Sequence, residues 1–246
     1  MRHQHMKGLV VLAAVFGTSL GARAVTTPLQ SAPTPQERVA ALKQSLADSQ
    51  KAIRQYEWIE TTIISLKGEE KARKQKRCYY GADGKLQKLD IADAAPPQQA
   101  PPSGRRGGRL KAKVVENKKE DMKEYMERAA GLVQQYVPPK PEDIQRAKDA
   151  GKVKTSTAGP GRARLEFTDY LKPGDRLAVD VDAAANRLLG LTVATYLDKA
   201  EDAVTLDVQL GALADGTSYT AQTTLDAAAK KIRVVIQNSG HRPLAR

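Results

Sequence analysis

Arg176-Leu177-Ala178-Val179-Asp180-Val181-Asp182-Ala183-Ala184-Ala185-Asn186-Arg187-Leu188-Leu189-Gly190-Leu191-Thr192-Val193 holds the pattern on which the fold turns. Leu177, Val179 and Val181 fall on alternate positions, Asp182 to Asn186 interrupts them, and Leu189, Leu191 and Val193 resume the alternation at once. A side-chain period of two is that of a β-strand. An interruption this short joins two strands only as antiparallel neighbours, and the alternation means that one face is buried and the other wet.

The same pattern extends in both directions. Arg164 to Thr168 precedes it, and Val204, Leu206, Val208 and Leu210, then Tyr219, Ala221, Thr223 and Leu225, then Ile232, Val234 and Ile236 follow. Turn-like segments separate the runs: Lys172-Pro173-Gly174-Asp175, Asp198 to Asp202, Ala214-Asp215-Gly216-Thr217 and Ala227 to Lys230. The C-terminal third is therefore a long antiparallel meander.

Upstream the period changes. Met122, Tyr125, Met126, Ala129, Leu132 and Val133 predict a helix over Lys118 to Tyr136, stopped by Pro138-Pro139. A second helix is predicted from Pro141 to Ala150, with Gly151 ending it. Residues 92–109 are Pro/Gln-rich and then Gly/Arg-rich, a composition with little to bury, and read as a mobile basic loop. Tyr56 to Leu66, a run ending in Arg77-Cys78-Tyr79-Tyr80, and Lys85 to Ile91 predict a small three-stranded meander. Before it, Thr34-Pro35-Gln36-Glu37 combines a cap, a first-turn proline and a capping box, and Val39, Leu42, Leu46 and Ile53 line one stripe of a helix running to about Gln55.

The N-terminus has the form of an export signal: a basic start through Lys7, an apolar run from Gly8 to Leu20, and Ala22-Arg23-Ala24. Cleavage is expected after Ala24, leaving a leader over 25–33 and an exported, periplasmic protein. The run is shorter than the about 20 apolar residues a transmembrane helix needs, and Val25 stands where a lipoprotein would carry cysteine. Losing Arg2, Lys7 and Arg23 takes three of the 40 basic residues and none of the 28 acidic ones, so a formal charge of +12 becomes +9. The lone Cys78 has no partner within the chain, so the fold stands without a disulfide and the thiol reads as a small buried hydrophobe.

The order of elements resembles the LolA/LolB-like, lipoprotein-sorting-like periplasmic carrier family. Tyr170-Leu171-Lys172-Pro173-Gly174-Asp175-Arg176-Leu177-Ala178-Val179-Asp180-Val181-Asp182-Ala183-Ala184-Ala185-Asn186-Arg187-Leu188 carries the resemblance, a strand that ends in an Asp/Asn turn with the next beginning at once. It implies an α+β fold: a long antiparallel meander forming an unclosed β-barrel, covered by an N-terminal helix and two central helices. The domain would span 34–240, with residues 241–246 as a tail. The resemblance also implies a cavity for acyl chains between sheet and helices, and hence a carrier or binding module for an apolar or acylated ligand. Carriers of this family line that cavity with aromatic residues, whereas this chain offers 4% aromatics, with Trp58, Phe167 and scattered tyrosines. No ligand-binding residue is carried over.

Catalytic chemistry has few candidates. Once His3 and His5 leave with the signal, His241 remains, and it reads as a solvated tail residue rather than a member of a triad. Asp180, Asp182 and Asn186 have the look of a calcium loop, but Ala185 stands where glycine is needed and Leu191 where glutamate is, so Asp180 and Asp182 read as the wet face of a strand and its turn. Gly159-Pro160-Gly161 lacks the following Lys-Ser/Thr of a phosphate loop. Glu57 with Glu60, and Glu166 with Asp169, read as chance carboxylate pairs. The expectation is a monomeric, non-enzymatic protein with no cofactor, metal or nucleic-acid partner. Of the basic segments, Lys71 to Arg77 reads as a charged sheet edge. Arg105, Arg106, Arg109, Lys111 and Lys113 leave open an alternative, a structural or polyanion-binding protein that touches an anionic envelope component or membrane surface by counterion release.

Overall fold

The computed structural model describes residues 35–91 and 108–244. The expected signal and leader, Thr34 and most of the basic loop lie outside the described residues. Helix α1 runs Pro35–Ala52 and passes through a 3-10 turn, Ile53–Gln55, into strand β1, Tyr56–Leu66. The small meander continues with β2, Glu69–Tyr80, and β3, Leu86–Asp90. Helices α2, Gly108–Gln134, and α3, Pro141–Asp149, follow. Seven strands complete the fold: β4 Val153–Thr157, β5 Arg162–Thr168, β6 Arg176–Asp182, β7 Arg187–Tyr196, β8 Ala203–Ala212, β9 Ser218–Ala227 and β10 Ile232–Pro243.

All ten strands form one antiparallel sheet in the order β3-β2-β1-β10-β9-β8-β7-β6-β5-β4. The sheet is not closed: β3 and β4 are its edges. The two meanders expected from sequence are thus halves of a single sheet, joined where β1 pairs with β10 from Leu66 opposite Ile232 to Tyr56 opposite Pro243. This is the α+β unclosed barrel.

Alternation builds the core on one face. Phe167 of β5, Leu177 of β6, Leu191 and Val193 of β7, and Val204 and Leu206 of β8 are buried with Ala129 and Val133 of α2, Tyr136 in the turn just after it, and Ala147 of α3. The buried positions of α2, Tyr125, Ala129 and Val133, recur every fourth residue, which keeps them on one stripe. The other face carries cross-strand polar pairs such as Arg164 with Asp180 and Arg233 with Asp226. There Asp180 lies on the wet face as expected, and Asp182 accepts from the backbone N–H groups of Ala184 and Ala185 in the turn.

The loop from Asp169 to Asp175 is tied to the end of α2 by one carboxylate. Asp175, fully buried, accepts from the N–H groups of Tyr170, Leu171 and Lys172 and from the Tyr136 hydroxyl. Burial and the adjacent Asp175 charge both raise the Tyr136 hydroxyl above the ordinary tyrosine range.

Three boundaries differ from the sequence reading. α2 begins at Gly108, ten residues before the expected Lys118, so Gly108 and Arg109 belong to a helix rather than to the basic loop. β4 was not anticipated; its Lys154, Thr155, Ser156 and Thr157 are exposed on an edge, with no apolar alternation to mark them. β10 continues seven residues beyond Ile236, so His241 sits in a strand and not in a tail.

Candidate functional site

The end of the sheet nearest the 3-10 turn holds a cleft of about 420 Å³ between helix and strands. Its roof is Leu46, Ser49 and Gln50 of α1 with Ile53 of the turn. Its floor comes from β1, β2, β3, β8, β9 and β10, with Leu86, Leu210, Thr223 and Ile236 beside four rings. The rings stand on four neighbouring strands: Tyr80 on β2, Trp58 on β1, His241 on β10 and Tyr219 on β9. Adjacent centroids are 6.1 Å apart from Tyr80 to Trp58, 5.8 Å from Trp58 to His241 and 4.1 Å from His241 to Tyr219.

Local backbone chemistry builds this row. Asn238 and His241 both line the cleft although three residues apart, which strict alternation forbids. A bulge in β10 resolves this: Ser239 faces Ile59 and Arg242 faces Glu57, leaving Gly240 and His241 together opposite Trp58. Gly240 takes φ +64°, the left-handed conformation that such bulges need and that glycine adopts without strain. The extra residue turns His241 toward the cleft. Gly211 plays a different part: a Cβ there would lie 2.9 Å from the Tyr219 ring, so the missing side chain lets that ring lie over β8.

Hydrogen bonds fix the rest. Trp58 Nε1 donates to Asn238 Oδ1 at 3.1 Å, and Asn238 Nδ2 donates to the Thr220 carbonyl. Ser49, a buried roof residue, accepts from Ser218 N–H and ties α1 to β9. Glu60, the charged residue of the lining, is paired by Lys88 of β3 at 2.6 Å, while the Arg54 guanidinium lies over the Tyr80 ring. His241 makes ring contacts and no hydrogen bond among the described residues, and burial lowers its imidazole below the ordinary histidine range. Two other hollows, of about 330 Å³ around the Arg164–Asp180 pair and about 520 Å³ around Pro173, Tyr196 and Lys199, do not gather aromatic and aliphatic side chains in this way.

Among solved structures the chain is similar to a DUF1329 family protein from Desulfovibrio piger, at 14% identity and a TM-score of 0.37, over 83% of this chain and 92% of that one. It is also similar to a LolA superfamily protein from Nitrosomonas europaea, at 11% identity and a TM-score of 0.34, over 83% and 94% of the two chains. No family model and no curated protein matches it. One of the two structures thus bears the family name to which the order of elements pointed, at a level of likeness from which no site is carried over.

Other residues singled out in the sequence are placed as follows. Arg105 and Arg106 lie outside the described residues, and Arg109, Lys111 and Lys113 occupy the first turns of α2, where their side chains are not described. The basic run of β2 is largely paired: Lys71 with Glu69, Arg73 with Glu70, Lys76 with Asp90 and Arg77 with Glu57. Its first half has no β3 neighbour, since β3 pairs only with Lys76 to Tyr80, so the charges do border a free edge. Glu57 and Glu60 do not act together, for Glu57 is held by Arg77 and Arg242 and Glu60 by Lys88. Asp169 pairs with Lys152 and accepts from Gly174 N–H. Cys78 is buried, and burial raises its thiol, as suits an inert core residue. Among the described residues no group of three or more His, Cys, Asp or Glu could hold a metal ion, and no helix is long and apolar enough to cross a membrane.

Proposed function

We propose that the protein is an exported binding module or carrier that takes an apolar or acylated ligand into the cleft between α1 and the sheet. The observation that carries this is the cleft itself. Its volume falls within the range of about 300–1,000 Å³ usual for small-ligand sites, and its walls combine aliphatic and aromatic side chains with a few fixed polar groups, the composition such sites have. Leu46 of α1 and Ile53 of the 3-10 turn close it on one side, and the export-like N-terminus supports an activity outside the cytoplasm.

Trp58 is the chain's single tryptophan and lines the cleft, so tryptophan fluorescence reports on its surroundings. Titration with a monoacylglycerol should shift this emission saturably. Leu46→Arg, which puts a charge in the roof, should weaken binding by about tenfold or more, since a buried unpaired charge is expensive, while leaving thermal unfolding close to that of the parent. Lipid extraction and native mass spectrometry of the protein taken from its own envelope should show a co-purifying acyl species. An unchanged Trp58 spectrum with every acyl probe, and a ligand-free native protein, would refute the reading.

A further inference from the structure

We infer that His241 selects the head of the ligand, and that the cleft prefers an acyl chain carrying an uncharged ester or amide over a free fatty acid. This rests on the reading of the cleft as an acyl-binding site.

The polar side chains of the cleft are unevenly satisfied. Trp58, Asn238, Glu60 and Ser49 each have a protein partner, whereas the His241 imidazole is held by ring contacts alone. A neutral imidazole carries one donor and one acceptor nitrogen, and a bulge places it against the rings of an otherwise greasy wall. Polar groups of this kind, few and fixed, orient ligands in apolar pockets. An acyl ester or amide offers the complementary carbonyl.

Charge decides between heads. Among the described residues the ionisable groups that share the cleft lining with His241 are Glu60 of β1, Tyr80 of β2 and Tyr219 of β9, with Lys88 of β3 paired to Glu60 and Arg54 of the 3-10 turn over Tyr80; α1 contributes Leu46, Ser49 and Gln50, none ionisable. Lys88 and Glu60 neutralise one another and Arg54 lies over the Tyr80 ring, so among the described residues the lining offers no unpaired cation. A carboxylate head would give up its water there with no unpaired cation to meet it; an ester gives up far less.

Protonation sharpens the same choice. Burial already disfavours the imidazolium. An acyl chain filling the cleft expels its remaining water and disfavours that charge further, so proton and neutral ligand exclude one another. Binding of an ester therefore weakens as the pH falls through the histidine range, while a carboxylate would be drawn to the imidazolium and bind more tightly.

Equilibrium dialysis with a medium-chain monoacylglycerol and the free fatty acid of the same chain tests this, from about pH 8 to about pH 5. The ester should bind about fivefold or more tightly at the upper pH, as one hydrogen bond and one avoided carboxylate desolvation allow, and its affinity should fall toward pH 5. His241→Phe, which keeps a ring in the row, should narrow the preference at the upper pH and remove the pH dependence of ester binding. His241→Gln should keep the preference at the upper pH and lose the pH dependence of ester binding. Equal or tighter binding of the fatty acid at pH 8, ester binding insensitive to pH, or an unaltered preference in His241→Phe would overturn the inference while acyl binding stands. Failure of both probes to bind would overturn the acyl-binding reading with it.

Discussion

Asp175 gathers three backbone N–H donors and one hydroxyl onto a single carboxylate with no solvent contact. Replacing it with alanine leaves all of them buried without that acceptor. Asp175→Ala should lose on the order of 3 kcal/mol or more of unfolding free energy in urea titration, because charge-assisted bonds and stranded donors both count against the variant. Glu57 makes a second, pH-dependent case. Arg242 and Arg77, hydrogen-bonded to it from β10 and β2, hold its carboxyl below the usual glutamate range. A lowered folded-state value means that the contribution is fully present above the unfolded value of about 4.3 and is lost as the pH falls below it. The thermal midpoint should therefore drop below about pH 4.3 more steeply in the parent than in Glu57→Gln, measured side by side. His241 shows where residue-level reading of the sequence ends. Gln237-Asn238-Ser239-Gly240 looks like the fraying of a strand, since nothing in it alternates, and the bulge that turns His241 inward is a property of pairing with β1 rather than of local composition. The glycine before the histidine was the available signal.

At the scale of elements, those with a strong period were legible. α1, α3 and the strands β5 to β9 lie within a few residues of where alternation and capping place them. α2 starts earlier than expected because Gly108-Arg109-Leu110-Lys111 follows an Arg/Gly-rich stretch and shares its basic composition, so the change of state has no compositional edge. β4 was hidden for the opposite reason: an exposed edge strand has no buried face and needs no apolar period. The cleft was legible only in outline. The expectation of a cavity between helix and sheet came from element order, and the scarcity of aromatics argued against a lined one. The few rings present are instead concentrated, one from each of four adjacent strands, an arrangement visible only once the register is known.

At the scale of the whole molecule, β10 is, among the described residues, the strand that links β3-β2-β1 to the strands from β9 to β4. A chain ending at Lys231 should therefore lose cooperative unfolding. Circular dichroism should show a broadened transition rather than a small shift of midpoint, because the small meander has nothing else to pair with. Retention of a single sharp transition in that truncated chain would show that α1 alone joins the two parts.

The pairing of β1 with β10 also orders events in time. Rings at positions 58, 80, 219 and 241 are brought side by side by strands far apart along the chain. Contacts so distant along the chain form late and slowly. The wall of rings therefore stays unassembled until β10 has docked on β1. On the reading proposed above, capture of ligand would report that this pairing is complete.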